Sequence, residues 1–362
     1  MTVGAKHHNF KIPLIASHRG YLFEKLVHHL LAFISVSNTL ASPASRAPML
    51  SLPVELEREI FEWSIRTSPD NASLRLRLSL VAWRVYSWVE AIIHENIALL
   101  TPRDVTQTLG LLHSRGPGFL AANVKTLCLG PRSAPYTRKA CNGTEPRMPD
   151  TTEVRRLLAE CRGTHNLACW INSSYDDHEI LDLIAQLSLY TLSIKFQYFN
   201  TLRERHPHSP WLAHLTHLEL IYWGDRWAPD GPQHPLPAGA LSQLPSLTHI
   251  ALSWGNDTIE ESATRMLRAD VADIVSTASH LQMLVVIVGD IDNEHPLYSR
   301  RAIFSRHVVA QQDPRIVVII AASGHNHWTS IWSTARQIVA SRKATSDVSV
   351  GRDEDNTSSE IG

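Results

Sequence analysis

Between residues 52 and 92, apolar residues recur every three or four positions, which is the spacing of one face of an α-helix. Pro53 stands at the start of this pattern, where its missing N–H costs a helix nothing. The first stripe consists of Leu52, Leu56, Ile60 and Trp63, widened by Phe61 and Ile65. The second stripe consists of Leu74, Leu78, Val81, Val85, Trp88 and Ile92. The pattern predicts a helical hairpin or three short helices.

From residue 96 onward, short strand-like runs alternate with segments of helical periodicity. Six such runs begin at Val124, Thr191, Leu215, Leu247, Leu281 and Pro314. Aligning Leu215, Leu247, Leu281 and Arg315 gives steps of about 32 to 34 residues, and the first two share the letters LTH. Strand plus helix at such a period predicts a solenoid in which each unit packs on the next. A doubly wound parallel sheet alternates in the same way and stays open as the competing fold.

These patterns predict an α+β fold class, with a small all-helical domain followed by an irregular strand-plus-helix solenoid. Four segments are expected: a disordered or weakly helical head at 1–48, the helical domain at 49–95, the strand-plus-helix domain at 96–343, and a disordered acidic tail at 344–362. The two end segments are assigned by composition, because neither has enough large apolar groups to offset the entropy of ordering.

Charge and hydropathy exclude several classes of protein. Lys and Arg number 34 against 35 Asp and Glu, so the net charge is −1 and no general attraction to nucleic acid or an anionic membrane is expected. No apolar run approaches the roughly 18 residues that span a bilayer.

The four cysteines bear on the compartment. Cys128, Cys141, Cys161 and Cys169 match no CxxC pattern and are too few for a disulfide scaffold. They predict unpaired thiols in a reducing, cytoplasmic or nuclear compartment. Five N-x-S/T sequons, together with an apolar run at residues 30–36, are the features that favour secretion instead.

The strongest candidate for chemistry is an acidic cluster that follows a strand-like run. It consists of Asp290, Asp292, Glu294 and His295. Clustered oxygen ligands suit a cation such as Mg²⁺, whereas a solvated loop explains the same residues without a ligand. We expect the solvated loop.

Histidine is frequent, with 20 residues and three close pairs: His206 with His208, His214 with His217, and His325 with His327. HExxH is absent, so these are expected to be surface imidazoles, with His217 at a solvent-facing strand position. GxGxxG, GxxxxGK[ST] and GxSxG are also absent. No catalytic residue, metal or cofactor is therefore predicted.

A family resemblance lies in the helical segment. LPVELEREIF from Leu52, with LSLVAWRVYSWVEAIIHENIAL from Leu78, resembles the F-box-like domain of mushroom-forming fungi. The runs LTHLEL and LPSLTHIALS are similar to that family's degenerate leucine-rich strands, and DPRIVVI with the later A-x-x-I-V-A-x-R-K resembles its C-terminal end. The resemblance therefore spans residues 50–343 and implies a leucine-rich-repeat-like solenoid. Residues 91–94 depart from the family, which has a Pro and a Leu-Tyr pair there.

The resemblance implies a non-catalytic substrate adaptor. The helical domain would dock on the Skp-type adaptor protein of a cullin–RING ubiquitin ligase, and the repeat domain would bind an unknown target protein. The predicted docking contacts are Leu52, Pro53, Leu56 and Ile60, and truncation of Ile60 or Trp63 is expected to cost folding stability. Two alternatives stay open: a repeat-based protein-binding module without ligase association, and a metal-dependent α/β enzyme that uses Asp290 and Asp292.

Overall fold

The computed structural model describes residues 52–67, 72–130, 150–171, 178–222, 240–254, 261–289, 313–321 and 331–342. The chain divides into two compact units, Met1–Ile93 and His94–Gly362. The predicted head at 1–48 and tail at 344–362 lie outside the described residues. Among the described helices, none combines the length and apolarity needed to cross a bilayer.

The described residues of the first unit, called here the helical unit, form three helices: α1 (Val54–Thr67), α2 (Ala72–Ser79) and α3 (Trp83–Ile93). The prediction of three short helices is confirmed. The carbonyl of Pro53 accepts the Glu57 N–H at 3.0 Å, so the proline lies directly before the first helical residue. The core consists of Phe61, Ile65, Leu78, Val85 and Val89.

The second unit, called here the sheet unit, alternates strands and helices. Its elements are β1 (Asn96–Leu99), α4 (Pro102–Arg115), α5 (Phe119–Asn123), β2 (Thr126–Leu129), α6 (Thr151–Glu160), β3 (Asn166–Cys169), α7 (His178–Ala185), β4 (Thr191–Lys195), α8 (Phe196–Arg205), α9 (Pro210–His214), β5 (His217–Tyr222), a 3₁₀ turn (Ala240–Gln243), β6 (His249–Trp254), α10 (Glu261–Thr277), β7 (Met283–Gly289), β8 (Ile316–Ala321) and α11 (residues 331–342).

The predicted fold class is wrong. The chain was expected to be α+β, with an F-box-like helical domain and an irregular leucine-rich-repeat-like solenoid. Instead, the eight strands of the described residues form one continuous, all-parallel sheet in the order β1 to β8, with helices along the connections, which is an α/β arrangement. The competing doubly wound sheet does not fit either, because the strand order never reverses and so provides no switch point.

One backbone feature repeats at the start of the strands. The carbonyl just before each of β1 to β6 accepts two successive N–H groups that lead into the next strand; Glu95, for example, accepts from Lys125 and Thr126, both at 2.9 Å. The other five acceptors are Lys125, His165, Tyr190, Thr216 and Thr248. This pairing holds the parallel strands in one register across the sheet.

The residues before the five carbonyls from Lys125 to Thr248 form a buried row. Val124, Thr164, Leu189, Leu215 and Leu247 occupy it, each no more than 2% exposed. Leu281 continues the row, 3% exposed. At β8 the predicted step is wrong: Leu284 pairs with Ile316, so Arg315 corresponds to Met283 and not to Leu281.

Alternation along the strands separates two cores. Leu192, Leu218 and Ile250 face the larger core, which also contains apolar side chains of α4 to α10. Ala168, Ile221 and the other inward side chains of the opposite face form a second core with Ile331, Trp332 and Ala335 of α11. The two faces of the sheet are therefore covered by different helices.

Thr164 breaks the apolar character of the buried row. Its side-chain hydroxyl is buried and has no hydrogen-bond partner among the described residues. Thr164→Val keeps the shape and removes this buried hydroxyl, so we expect the free energy of unfolding to rise by about 1 kcal/mol. Urea denaturation followed by circular dichroism measures the change.

The matched control is Thr216→Val, because the Thr216 hydroxyl donates to the Tyr190 carbonyl at 2.9 Å. This variant should lose about 1 kcal/mol. Equal destabilisation of both variants would show that the Thr164 hydroxyl is satisfied in solution.

Candidate partner-binding surface

Helix α1 has two apolar faces, and only one of them packs into the core of the helical unit. Phe61, Ser64 and Ile65 are buried on one face. On the opposite side, Leu52 is 46%, Leu56 48% and Trp63 42% exposed. We call Leu52, Leu56 and Trp63 the exposed stripe. A contiguous group of large apolar side chains on a protein surface commonly marks an interaction site.

Two side-chain interactions of α1 lie away from the exposed stripe. The Ser64 hydroxyl donates to the Ile60 carbonyl at 2.6 Å, so this buried side chain needs no partner from elsewhere. Arg84 of α3 pairs with Glu57 at 2.7 Å, which links α1 to α3 on the polar side. Neither of these two interactions involves Leu52, Leu56 or Trp63.

The predicted contact residues fall mainly on this surface. Leu52, Pro53 and Leu56 are exposed, whereas Ile60 is half-buried. Trp63 was expected to contribute to the folding core, and this expectation is wrong because its side chain lies on the exposed stripe. Periodicity joined Phe61 and Ile65 to the stripe of Leu52, Leu56 and Trp63, so it did not separate the face that the other helices cover from the exposed one.

Sequence reasoning missed a second group of exposed apolar residues in the same unit. Leu76 is 63%, Leu80 77% and Trp83 79% exposed. Their steps of four and three residues are the signal that could have identified them, but they interleave with the buried residues Leu78 and Val85. The Trp83 ring stacks on Tyr86 with centroids 5.3 Å apart. We call Leu76, Leu80 and Trp83 the α2–α3 patch.

Charge near the exposed stripe comes from α1 itself. Glu55 and Glu59 lie beside the stripe on the helical wheel, and both are exposed. Arg58 and Glu62 form an i,i+4 ion pair at 2.6 Å, which at an exposed position contributes little to stability. The surface thus has an apolar centre with a charged border, as protein interfaces commonly do.

The sheet unit contains a buried polar chain that was not predicted. The Trp170 indole donates to the Ser193 hydroxyl at 2.8 Å, and that hydroxyl donates to Glu219 at 2.6 Å. Ser193 is fully buried and Glu219 is 2% exposed, so no substrate reaches either group. These hydrogen bonds satisfy the buried polar atoms of the three side chains, and the buried Ser193 hydroxyl is not available as a nucleophile.

The candidate chemistry of the sequence gains no support. Asp290, Asp292, Glu294 and His295, like His325 and His327, lie outside the described residues. Within the described ranges, no group of three or more His, Cys, Asp or Glu side chains could hold a metal ion. Cys128, Cys161 and Cys169 are buried, and burial raises the pKa of the Cys161 thiol to about 12.

The histidine pairs differ from one another. His206 bonds Asp182 at 2.8 Å, and His208 is exposed. His217 was expected to face solvent, and this is wrong: its ring packs against His249 and Trp332. Burial, together with electrostatic repulsion from His249 and Arg336, lowers the pKa of His217 to about 4. The shared LTH letters were the signal that His217 and His249 occupy equivalent positions.

No protein-family model, curated protein or solved structure shows a significant similarity to this chain. The F-box-like resemblance, which rests on the motifs quoted above, therefore stays a prediction.

The two faces of α1 make opposite predictions for stability. Leu56→Ala removes an exposed side chain, so the free energy of unfolding should change by less than about 0.5 kcal/mol. Phe61→Ala removes a core side chain and should cost about 3 kcal/mol or more. Urea denaturation of both variants tests this assignment. A similar loss in both would mean that the exposed stripe packs within the chain.

Proposed function

We propose that this chain is a non-catalytic adaptor whose helical unit docks on the Skp-type adaptor protein of a cullin–RING ubiquitin ligase. The sheet unit would then bind a target protein, a role carried over from the F-box-like resemblance alone. The single observation that carries the proposal is the exposed stripe of α1, whose apolar side chains point away from the core of their own unit.

The exposed stripe suits a helix-in-groove interaction. Leu52, Leu56 and Trp63 follow the i, i+4, i+11 positions of one helix face, which is how an amphipathic helix presents anchors to an apolar groove. Because the core of the helical unit is built from Phe61 and Ile65 instead, docking would not require α1 to leave its place in the unit. The interface can therefore form on a folded domain.

The position of Pro53 supports the same surface. The proline stands at the exposed start of α1, where its ring fixes φ and its carbonyl accepts from Glu57 at 3.0 Å. A fixed helix start pre-organises Leu52 beside Leu56, so little conformational entropy is lost when the partner binds.

The binding prediction concerns this helix start. Leu52→Ala combined with Pro53→Ala should weaken adaptor binding by about 2 kcal/mol or more, about thirtyfold in Kd, because anchor residues carry most of an interface. Isothermal titration with a purified Skp-type adaptor measures the affinity, and thermal melts check that the variant folds.

Tyr190→Ala is the control, since Tyr190 is an exposed aromatic residue of the sheet unit. Its affinity for the adaptor should equal that of the wild type. A folded double variant that binds as tightly as the wild type would exclude the helix start as the docking surface. If the wild type binds no adaptor, the ligase adaptor is excluded. The chain would then be a protein-binding module without ligase association.

A further inference from the structure

Helix α11 rests on two stacked histidines. His217 of β5 and His249 of β6 are register partners, and their rings stack with centroids 4.2 Å apart and planes at 13°. Trp332 of α11 meets both rings edge-on, at 5.0 Å and 5.8 Å between centroids. Trp332 is 6% exposed, so the indole is the buried anchor through which α11 contacts the pair.

A threonine hydroxyl lies against Nδ1 of each histidine ring. The Thr216 hydroxyl lies 2.9 Å from Nδ1 of His217 and gives its one proton to the Tyr190 carbonyl. The Thr248 hydroxyl lies 2.8 Å from Nδ1 of His249 and also reaches the Thr216 carbonyl. Each ring of the pair thus has a threonine hydroxyl at Nδ1, and each of these hydroxyls also reaches a backbone carbonyl.

The charges around the pair disfavour protonation. Arg336, one turn beyond Trp332 on α11, lowers the pKa of both histidines, after the larger effect of burial. The register partners on the flanking strands, Thr191 and Met283, do not titrate. Glu219 lies two residues along β5 on the same face, but it accepts a hydrogen bond from Ser193.

The remaining charged groups of these elements lie further off. Lys195 of β4 is four register positions from Thr191, beside the ring of Tyr198. Arg342 is the other charged residue of α11, and it donates to the Ile316 carbonyl on β8 at 2.8 Å. A proton on either histidine would thus enter a half-buried stack beside a guanidinium, and a second proton would place two like charges 4.2 Å apart between ring centroids.

We propose that α11 is a proton-sensitive latch: protonation of the His217–His249 pair beneath Trp332 releases α11 from the sheet. Release would uncover the apolar side chains that α11 covers, among them Ile221, Val285 and Val317. The latch is independent of adaptor docking, since it is built entirely within the sheet unit.

The sign follows from proton linkage. In the closed state the pKa of His217 is about 4, against an ordinary value of 6.5 that returns when the helix leaves. Between these two values the released state binds more protons than the closed state. The closed state is therefore fully stable above pH 6.5 and loses stability as the pH falls from 6.5 toward 4.

Hydrogen–deuterium exchange on the full chain tests the latch. We expect the protection of residues 331–342, corrected for intrinsic exchange, to fall on the order of tenfold between pH 7.5 and pH 5. This loss is smaller than the pKa shift alone would give, because solvent screens the half-buried charges. Protection of Thr126–Leu129 in β2 should stay constant and serves as the internal reference. If both segments lose protection together, or neither does, the latch does not exist.

Two variants identify the titrating groups. His217→Phe with His249→Phe keeps an aromatic stack under Trp332 without a titratable nitrogen, so the pH dependence should disappear, whereas the exposed control His208→Gln should keep it. Arg336→Gln leaves both histidines in place and should reduce the tenfold loss, which decides the question if the double variant fails to fold. An unchanged pH dependence in the double variant, or in Arg336→Gln, would overturn the proposal.

Discussion

A backbone carbonyl just before each of β1 to β6 holds two successive N–H groups at the start of the next strand, and the sheet unit depends on this repeated pairing. Because side chains alternate along a strand, the pairing determines which residues enter the helix-covered core and which face α11. It brings His217 beside His249 on one face. On the row just before the strands it places Thr164 where the neighbouring repeats have valine or leucine.

In the helical unit, α1 carries more apolar surface than the small core of the unit buries. Phe61 and Ile65 pack against α2 and α3, and Leu52, Leu56 and Trp63 remain in water. The α2–α3 patch adds a second group of exposed apolar side chains on the other two helices. The buried and the exposed apolar side chains of these helices are therefore different residues, so the exposed positions can change with little effect on folding stability.

Local patterns predicted the elements better than their arrangement. The strand-like runs that begin at Val124, Thr191 and Leu215 contain β2, β4 and β5, whereas β1 and β3, which are as short as β2, were missed. Periodicity showed that Trp63 lies on an apolar stripe, but burial depends on the neighbouring helices. The predicted fold class was wrong because the connections between strands differ in length, so the sequence shows no regular repeat across the sheet. The regular register of the sheet is set by hydrogen bonds between strands. His217 was misplaced for a related reason, since a distant helix, α11, covers it.

The strict chain order of the sheet has a consequence for how the molecule folds. Every strand pairs only with the strand before it and the strand after it, so no pairing must wait for a distant part of the chain. The entropy of closing each connection grows only slowly with its length, and even the longer connections add little to the cost. The sheet can therefore grow strand by strand from any formed pair, with one connection closing at a time. By the same logic, unfolding can begin at one end of the sheet and stop partway, so this unit need not behave as a single cooperative block.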